Sequence, residues 1–187
     1  MTLHVRRATT ADIPACEYLD RTIETEYTWR LEHSAGIDLV AARFRRVRLP
    51  RPIRLHDPNL DRDLFELWQQ MPCFLVAEDA GEVVGYVILS VRHASNEGWV
   101  SHLVADRVGA RELIWRQLLH RAEQWAWRGG LDLVTIVLAS GNDPGMRMMI
   151  QQGYDYRGFI SNYFPGGDIG VLFGVQMRAP LRRSLST

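Results

Sequence analysis

The sequence contains no lysine; all 22 of its fixed positive charges are arginine, and they are matched by 22 acidic residues. Zero net charge excludes a global field that would draw the chain to nucleic acid or to an anionic membrane surface. Long hydrophobic runs are missing as well. None approaches the roughly 18 residues that a membrane span needs, and Met1-Thr2-Leu3-His4-Val5-Arg6-Arg7 has no apolar signal core. Cysteine is scarce: Cys16 and Cys73 stand far apart, outside any Cys-x-x-Cys or Cys/His spacing. A disulfide framework and a structural metal site are therefore not expected. These absences together predict a reduced, cytoplasmic protein with no metal, no nucleic acid and no membrane partner. The exclusive use of arginine suits planar, two-pronged recognition of phosphates or carboxylates. GC-rich codon usage produces the same composition.

What is present is an ordinary globular balance, 47% hydrophobic and 24% charged over 187 residues, enough for one domain with a sizeable core. We expect a single domain over residues 1–180 and a flexible polar tail over 181–187. His4 to Ala8 reads as a strand. Ile13, Cys16, Leu19 and Ile23 recur at helical spacing, predicting an amphipathic helix from residue 11 to about 25 with Thr10 as its cap. Residues 26–58 are the least readable stretch. Alternation around Val40, Ala42 and Phe44, with Pro50 and Pro52 opposing a helix, predicts a hairpin of Tyr27–Leu31 against Leu39–Leu49. Its arginines (Arg43, Arg45, Arg46, Arg48, Arg51, Arg54) form either a solvated strand face or a rim that attracts a ligand's phosphates. Leu60 to Gln70 reads as a short helix.

From Cys73 the pattern sharpens. Strands at 73–77 and 83–91 flank a Glu-Asp-Ala-Gly turn, and Trp99–Ala105 is a third strand. Arg111–Trp127 is a long helix stopped by Gly129-Gly130. Leu131–Leu138 is apolar enough to be covered on both faces. A helix over 143–152 and strands at 154–162 and 170–177 complete a mixed α/β order.

Three stretches carry a resemblance to the GNAT superfamily, the acyl-CoA-dependent N-acyltransferases. Val5-Arg6-Arg7-Ala8-Thr9-Thr10-Ala11-Asp12-Ile13 is similar to the family's opening segment. Phe74 to Val87, with Gly85 in the outgoing strand, resembles its central hairpin. Asn142, Gly145, Met148, Met149, Gly153 and Tyr154 match its Asn-x-x-Ala-x-x-Leu-Tyr-x-x-x-Gly-Phe spacing. The resemblance implies the GNAT fold, a mixed central sheet with a splayed parallel strand pair flanked by helices. Residues 25–71 would be the family-variable insertion on the acceptor side.

It also implies a site. Acetyl-CoA, as co-substrate, would lay its pantetheine arm along Leu103, Val104 and Ala105, with the strand-to-helix turn at Asn142 and Gly145 close by. Its pyrophosphate would meet the loop opening the long helix, which falls on Ala110, Arg111, Glu112, Leu113, Ile114 and Trp115. The two glycines that normally leave room for phosphate are replaced there by Leu113 and Trp115; Arg107 and Arg111 remain as cations. The motif tyrosine that protonates the leaving thiolate is replaced by Met149. Glu97 and His102 are the candidate general bases, and Tyr154 is a further catalytic candidate.

Two readings follow. One is an N-acetyltransferase moving an acetyl group to a small-molecule or peptide amine by direct attack. The alternative is a GNAT-fold protein without catalysis that serves as a binding or regulatory module. A homodimer paired through the last strands is an assembly the resemblance allows.

Overall fold

The computed structural model describes residues 2–106 and 111–177. Its strands are β1 (His4–Arg7), β2 (Ile23–Ala35), β3 (Val40–Leu55), β4 (Cys73–Asp79), β5 (Glu82–Arg92), β6 (Glu97–Ala105), β7 (Leu133–Ala139), β8 (Asp155–Ile160) and β9 (Gly170–Gln176). The α-helices are α1 (Ile13–Tyr18), α2 (Leu64–Gln70), α3 (Arg111–Arg128) and α4 (Asp143–Gln151). Seven strands form one sheet in the order β1-β4-β5-β6-β7-β9-β8, while β2 and β3 pair as a separate hairpin. β6 and β7 run parallel and the remaining pairs are antiparallel. The expected mixed sheet with flanking helices is the observed architecture.

Two cores lie on opposite faces of the sheet. On one, α3 buries Ile114, Trp115, Leu118, Leu119, Ala122 and Ala126, and α4 buries Met146, Met148 and Met149. On the other, Ile13 and Cys16 of α1 and Leu64 and Leu67 of α2 cover Phe74, Val76, Tyr86, Ile88 and Val104. Gly85 is what lets α3 sit so close. A Cβ there would lie 2.7 Å from the Ile114 side chain and 2.8 Å from the Val104 carbonyl oxygen. Among the described residues no helix is long and apolar enough to cross a membrane.

Two sequence expectations are corrected. The first helix does not run to residue 25, because Leu19 is already extended and Asp20 then accepts from the Thr22 backbone N–H (2.9 Å) and hydroxyl (2.6 Å). That turn delivers β-branched Thr22 and Ile23 into a strand. The cap is Thr9 rather than Thr10: the Thr9 N–H donates to the Asp12 carboxylate at 2.7 Å, and Asp12 N–H returns to the Thr9 carbonyl.

The β2–β3 hairpin is present and longer than the sequence suggested. Pro50 and Pro52 fit because Arg48 pairs with Tyr27 and Ile53 with Thr25, so residues 49–52 face only Glu26 across a bulge. Cross-strand ion pairs join Arg45 to Glu32, Arg48 to Glu26 and Arg54 to Glu24. The hairpin is latched to the sheet domain by Asp143, the first residue of α4, whose side chain is 6% exposed. Arg46 grips that carboxylate with Nε at 2.7 Å and Nη2 at 3.0 Å, and the Trp29 indole N–H donates to it at 2.9 Å. Phe44 adds edge-on contacts to Tyr156 and Phe159. Most of the arginine run thus meets protein carboxylates.

Candidate active site

The parallel pair holds for only four positions, from Glu97 opposite Leu133 to Val100 opposite Ile136. Beyond Val100, β7 stays with β9 as far as Ala139 opposite Gly170, and β6 stays with β5 as far as Ala105 opposite Gly85. Among the described residues the backbone of 101–105 therefore has no strand partner on its β7 side. The register with β5 shifts at the same point. His102 faces Ile88 and Val100 faces Leu89, so Ser101 is one residue too many for β5 and forms a β-bulge. A bulge bends its strand and re-aims side chains. Val100 and Leu103 join the α3 face, whereas Val104 joins the α1/α2 face.

A cavity of about 130 Å³ opens at this fork. Ser101, His102 and Leu103 of β6 and Ile136 to Ala139 of β7 form its floor, with Asn142 beyond. Its outer walls come from distant sequence: Arg21 and Ile23, Leu55 to Asp57, Leu60, and the 164–168 turn with Phe164 and Asp168. A narrower cleft of about 20 Å³ lies on the α3/α4 side of the fork, lined by Leu103, Trp115, Leu138, Asn142, Gly145, Met148 and Met149. Leu103, Leu138 and Asn142 border both spaces.

Asn142 is the N-cap of α4, and its Oδ1 accepts from the Gly145 N–H at 2.9 Å. A Cβ on residue 145 would fall 2.7–2.9 Å from that side chain, so in this arrangement a larger residue would have to displace the Asn142 amide. At the other end of α4, Gly153 adopts φ +78, the left-handed conformation that closes a helix.

His102 is 1% exposed and lies beside Tyr86, ring centroids 6.2 Å apart. Its Nδ1 is 3.0 Å from Ser101 Oγ, which itself donates to the Ile88 carbonyl at 3.3 Å. A hydroxyl whose own proton goes to Ile88 can accept from Nδ1–H, the tautomer that would leave the imidazole's lone pair on Nε2.

The other anticipated residues scatter. Glu97 sits at the closed end of the parallel pair, four positions before the bulge. Tyr154 lies outside both spaces, with its hydroxyl donating to Glu123 at 2.6 Å; burial and this carboxylate push its ionisation far up. Val104 and Ala105 are buried along β6. Arg111, Glu112, Leu113 and Ile114 form the first turn of α3 and Trp115 begins the next. Trp115 is 3% exposed, its indole N–H meets no partner among the described residues, and it lines the narrow cleft. Arg111 lies 5.6 Å from the Trp115 ring centroid. Ala110, Arg107 and Gly109 lie outside the described residues. Among the described residues no three His, Cys, Asp or Glu side chains gather as a metal site.

Sequence reasoning missed Arg21, His56, Asp57 and Asp168. None belongs to a motif, and only the Asp57-Pro58 and Pro165-Gly166 turn signals marked their loops.

Comparison with known proteins places this geometry. Residues 41–154 match the model of the Acetyltransferase (GNAT) family. The crystal structure of nourseothricin acetyltransferase superposes with a TM-score of 0.79 at 18% identity, covering 95% of this chain and 100% of its own. A putative streptothricin acetyltransferase from Bacillus anthracis str. Ames, solved in complex with acetyl coenzyme A, gives 0.78 at 14% identity and 94% and 99% coverage. The ribosomal-protein-S18-alanine N-acetyltransferase from Escherichia coli gives 0.64 at 12% identity and 97% and 98% coverage. No curated protein sequence matches the chain.

Proposed function

The chain belongs to the acetyltransferase (GNAT) family, and on that premise we propose that it moves the acetyl group of acetyl-CoA to an amine by direct attack. The observation that carries this reading is the fork itself: a stretch of β6 backbone without a β7 partner, between a narrow cleft and a larger cavity whose walls include Arg21, Asp57 and Asp168. Acetyl-CoA supplies the acyl group as a thioester. The β6 edge over 101–105 offers backbone donors and acceptors to an extended amide chain, as in strand addition. Leu103, Leu138, Met148 and Met149 give that chain an apolar bed. The acceptor amine belongs on the other side, in the cavity walled by Arg21, Asp57 and Asp168.

His102 is the base best placed for this task. It lines the acceptor cavity at the fork, and the Ser101 contact orients its ring with Nε2 unprotonated. As the amine nitrogen bonds to the thioester carbon, its proton passes to Nε2; the C–S bond then breaks and the sulfur leaves as a thiolate. The developing oxyanion would be met by backbone N–H near Val104, in line with the family resemblance. Met149 borders the cleft where the family pattern has its tyrosine, and a thioether has no proton to give. The thiolate would therefore leave without an acid at that position.

A second reading, a non-catalytic binding module, is favoured by one observation. Trp115 stands where the resemblance expects a glycine, and it is buried in the main core at the border of the narrow cleft. Thermal melting with millimolar acetyl-CoA and a thiol-release assay over an amine panel separate the readings. Ligand at about 100 times its dissociation constant should add roughly 2.7 kcal/mol, several degrees for a chain of this size. His102→Gln should lower kcat by about 10²–10⁴ while leaving that melting shift intact. No shift with acetyl-CoA removes the transferase reading; a shift without thiol release leaves the binding module. A His102→Gln protein within tenfold of wild-type turnover removes His102 as base.

A further inference from the structure

Arg21 follows α1 in the 19–22 loop, and its side chain forms part of the cavity wall. Its Nη1 donates to the Leu60 carbonyl at 2.6 Å, which fixes the guanidinium at the edge of the 58–61 turn. Its Nε is buried and meets no hydrogen-bond partner among the described residues. Among the described residues no carboxylate lies within ion-pair distance of it, although most other arginines of the acceptor-side hairpin have one. A guanidinium that is held in place, partly desolvated and without a counter-ion is an under-satisfied charge facing a cavity. The Asp57 and Asp168 carboxylates belong to the same walls. The cavity therefore presents one positive and two negative groups, a complement to a molecule carrying both an amine and an anion.

We propose that the acceptor is an amino-carboxylate whose carboxylate binds Arg21 while its amine is drawn toward the fork. This rests on the cavity being the acceptor side of the transferase proposed above. Arginine suits the role because its planar head meets a carboxylate with two parallel N–H donors. Leu60 engages Nη1, and Arg21 lines the cavity wall beside it. At about 130 Å³, the cavity suits an acceptor head the size of a short amino acid rather than a bulky polycation.

The test compares 4-aminobutanoate and β-alanine with their carboxamides, whose amines are alike but whose far ends are neutral. Binding to the full chain is read by calorimetry and melting shift, and acetylation by thiol release from acetyl-CoA. Wild type should favour each carboxylate over its amide by about tenfold to a hundredfold, the ratio expected of a charge-assisted hydrogen bond. Arg21→Gln, which can still donate to Leu60, should lose that preference without losing the acetyl-CoA melting shift; Arg21→Lys should keep part of it. Equal binding of acid and amide by wild type overturns the proposal, even if Arg21→Gln fails to fold. So does an Arg21→Gln protein that keeps the preference. A carboxylate preference in a protein that ignores acetyl-CoA would keep the anion site and remove the transferase reading instead.

Discussion

Removing the Asp143 carboxylate should detach the β2–β3 hairpin from α4, and the structure sets how much that costs. The carboxylate is almost fully buried and receives three hydrogen bonds, two from Arg46 and one from the Trp29 indole. Arg46 keeps 35% of its side chain exposed, so it can recover hydration when its partner is lost. Breaking a buried pair by deleting one partner costs roughly 3–5 kcal/mol, and Arg46's exposure puts Asp143→Ala at the lower end, about 3 kcal/mol. At about 2–4 °C per kcal/mol for a chain of this size, the melting temperature should fall by roughly 6–12 °C. Asp143→Asn should be milder, since an amide oxygen still accepts from Trp29. Arg46→Met should be at least as damaging as Asp143→Ala, because it leaves an ionised carboxylate buried with one donor. The double mutant should be less destabilised than the sum of its parts by about 1–2 kcal/mol. Urea denaturation of all four proteins gives the numbers. An Asp143→Ala variant within 1 kcal/mol of wild type, or strict additivity in the cycle, would show that the latch is ornamental.

Two further outcomes follow from buried ionisable groups. The Arg6 guanidinium, at 2.8 Å on both oxygens, and the Thr9 donors hold the Asp12 carboxyl well below the usual carboxylate range. Its folded pKa is depressed, so its stabilisation is present above the unfolded pKa of about 3.9 and is lost as pH falls through the folded value. Asp12→Asn should therefore melt well below wild type at pH 7 and approach it toward pH 3; a gap that stays constant with pH would refute this. Burial also pushes the Cys16 and Cys73 thiols up to about 12. Neither should react with a disulfide reagent at pH 8 until the protein is unfolded, and a thiol titrating promptly in native buffer would contradict the packing of its core.

Local signals carried the centre of the fold. The β4–β5 turn, the apolar β7, the span of α3 and the Asn142–Gly153 frame of α4 each depend on neighbours within a few residues, and the sequence showed them. The hairpin was legible only as alternation, because its anchor joins Arg46 to a carboxylate 97 positions away. The first helix was overdrawn for a related reason: Ile23 keeps helical spacing with Leu19, and only the Asp20 turn breaks the continuity. Around the cavity, Leu103, Asn142 and Gly145 were named through family spacing and His102 as a histidine in the middle of a strand. Arg21, Asp57 and Asp168 were not, since a cavity wall assembled from three loops leaves no periodic trace. Nor was the bulge, which changes register without changing composition.

Ser101 has a consequence for how such a site can be gained or lost. The fork coincides with a matter of chain length: β6 carries one surplus residue against β5 where its pairing with β7 ends. Deleting Ser101 alone would remove that surplus while leaving His102 and the other side chains that line the opening still encoded. Adding one to an ordinary parallel pair would open a slot before any chemistry had been placed in it. In a sheet of this kind a codon-sized insertion or deletion can act as the on–off step, and substitutions then decide only which molecule uses the opening.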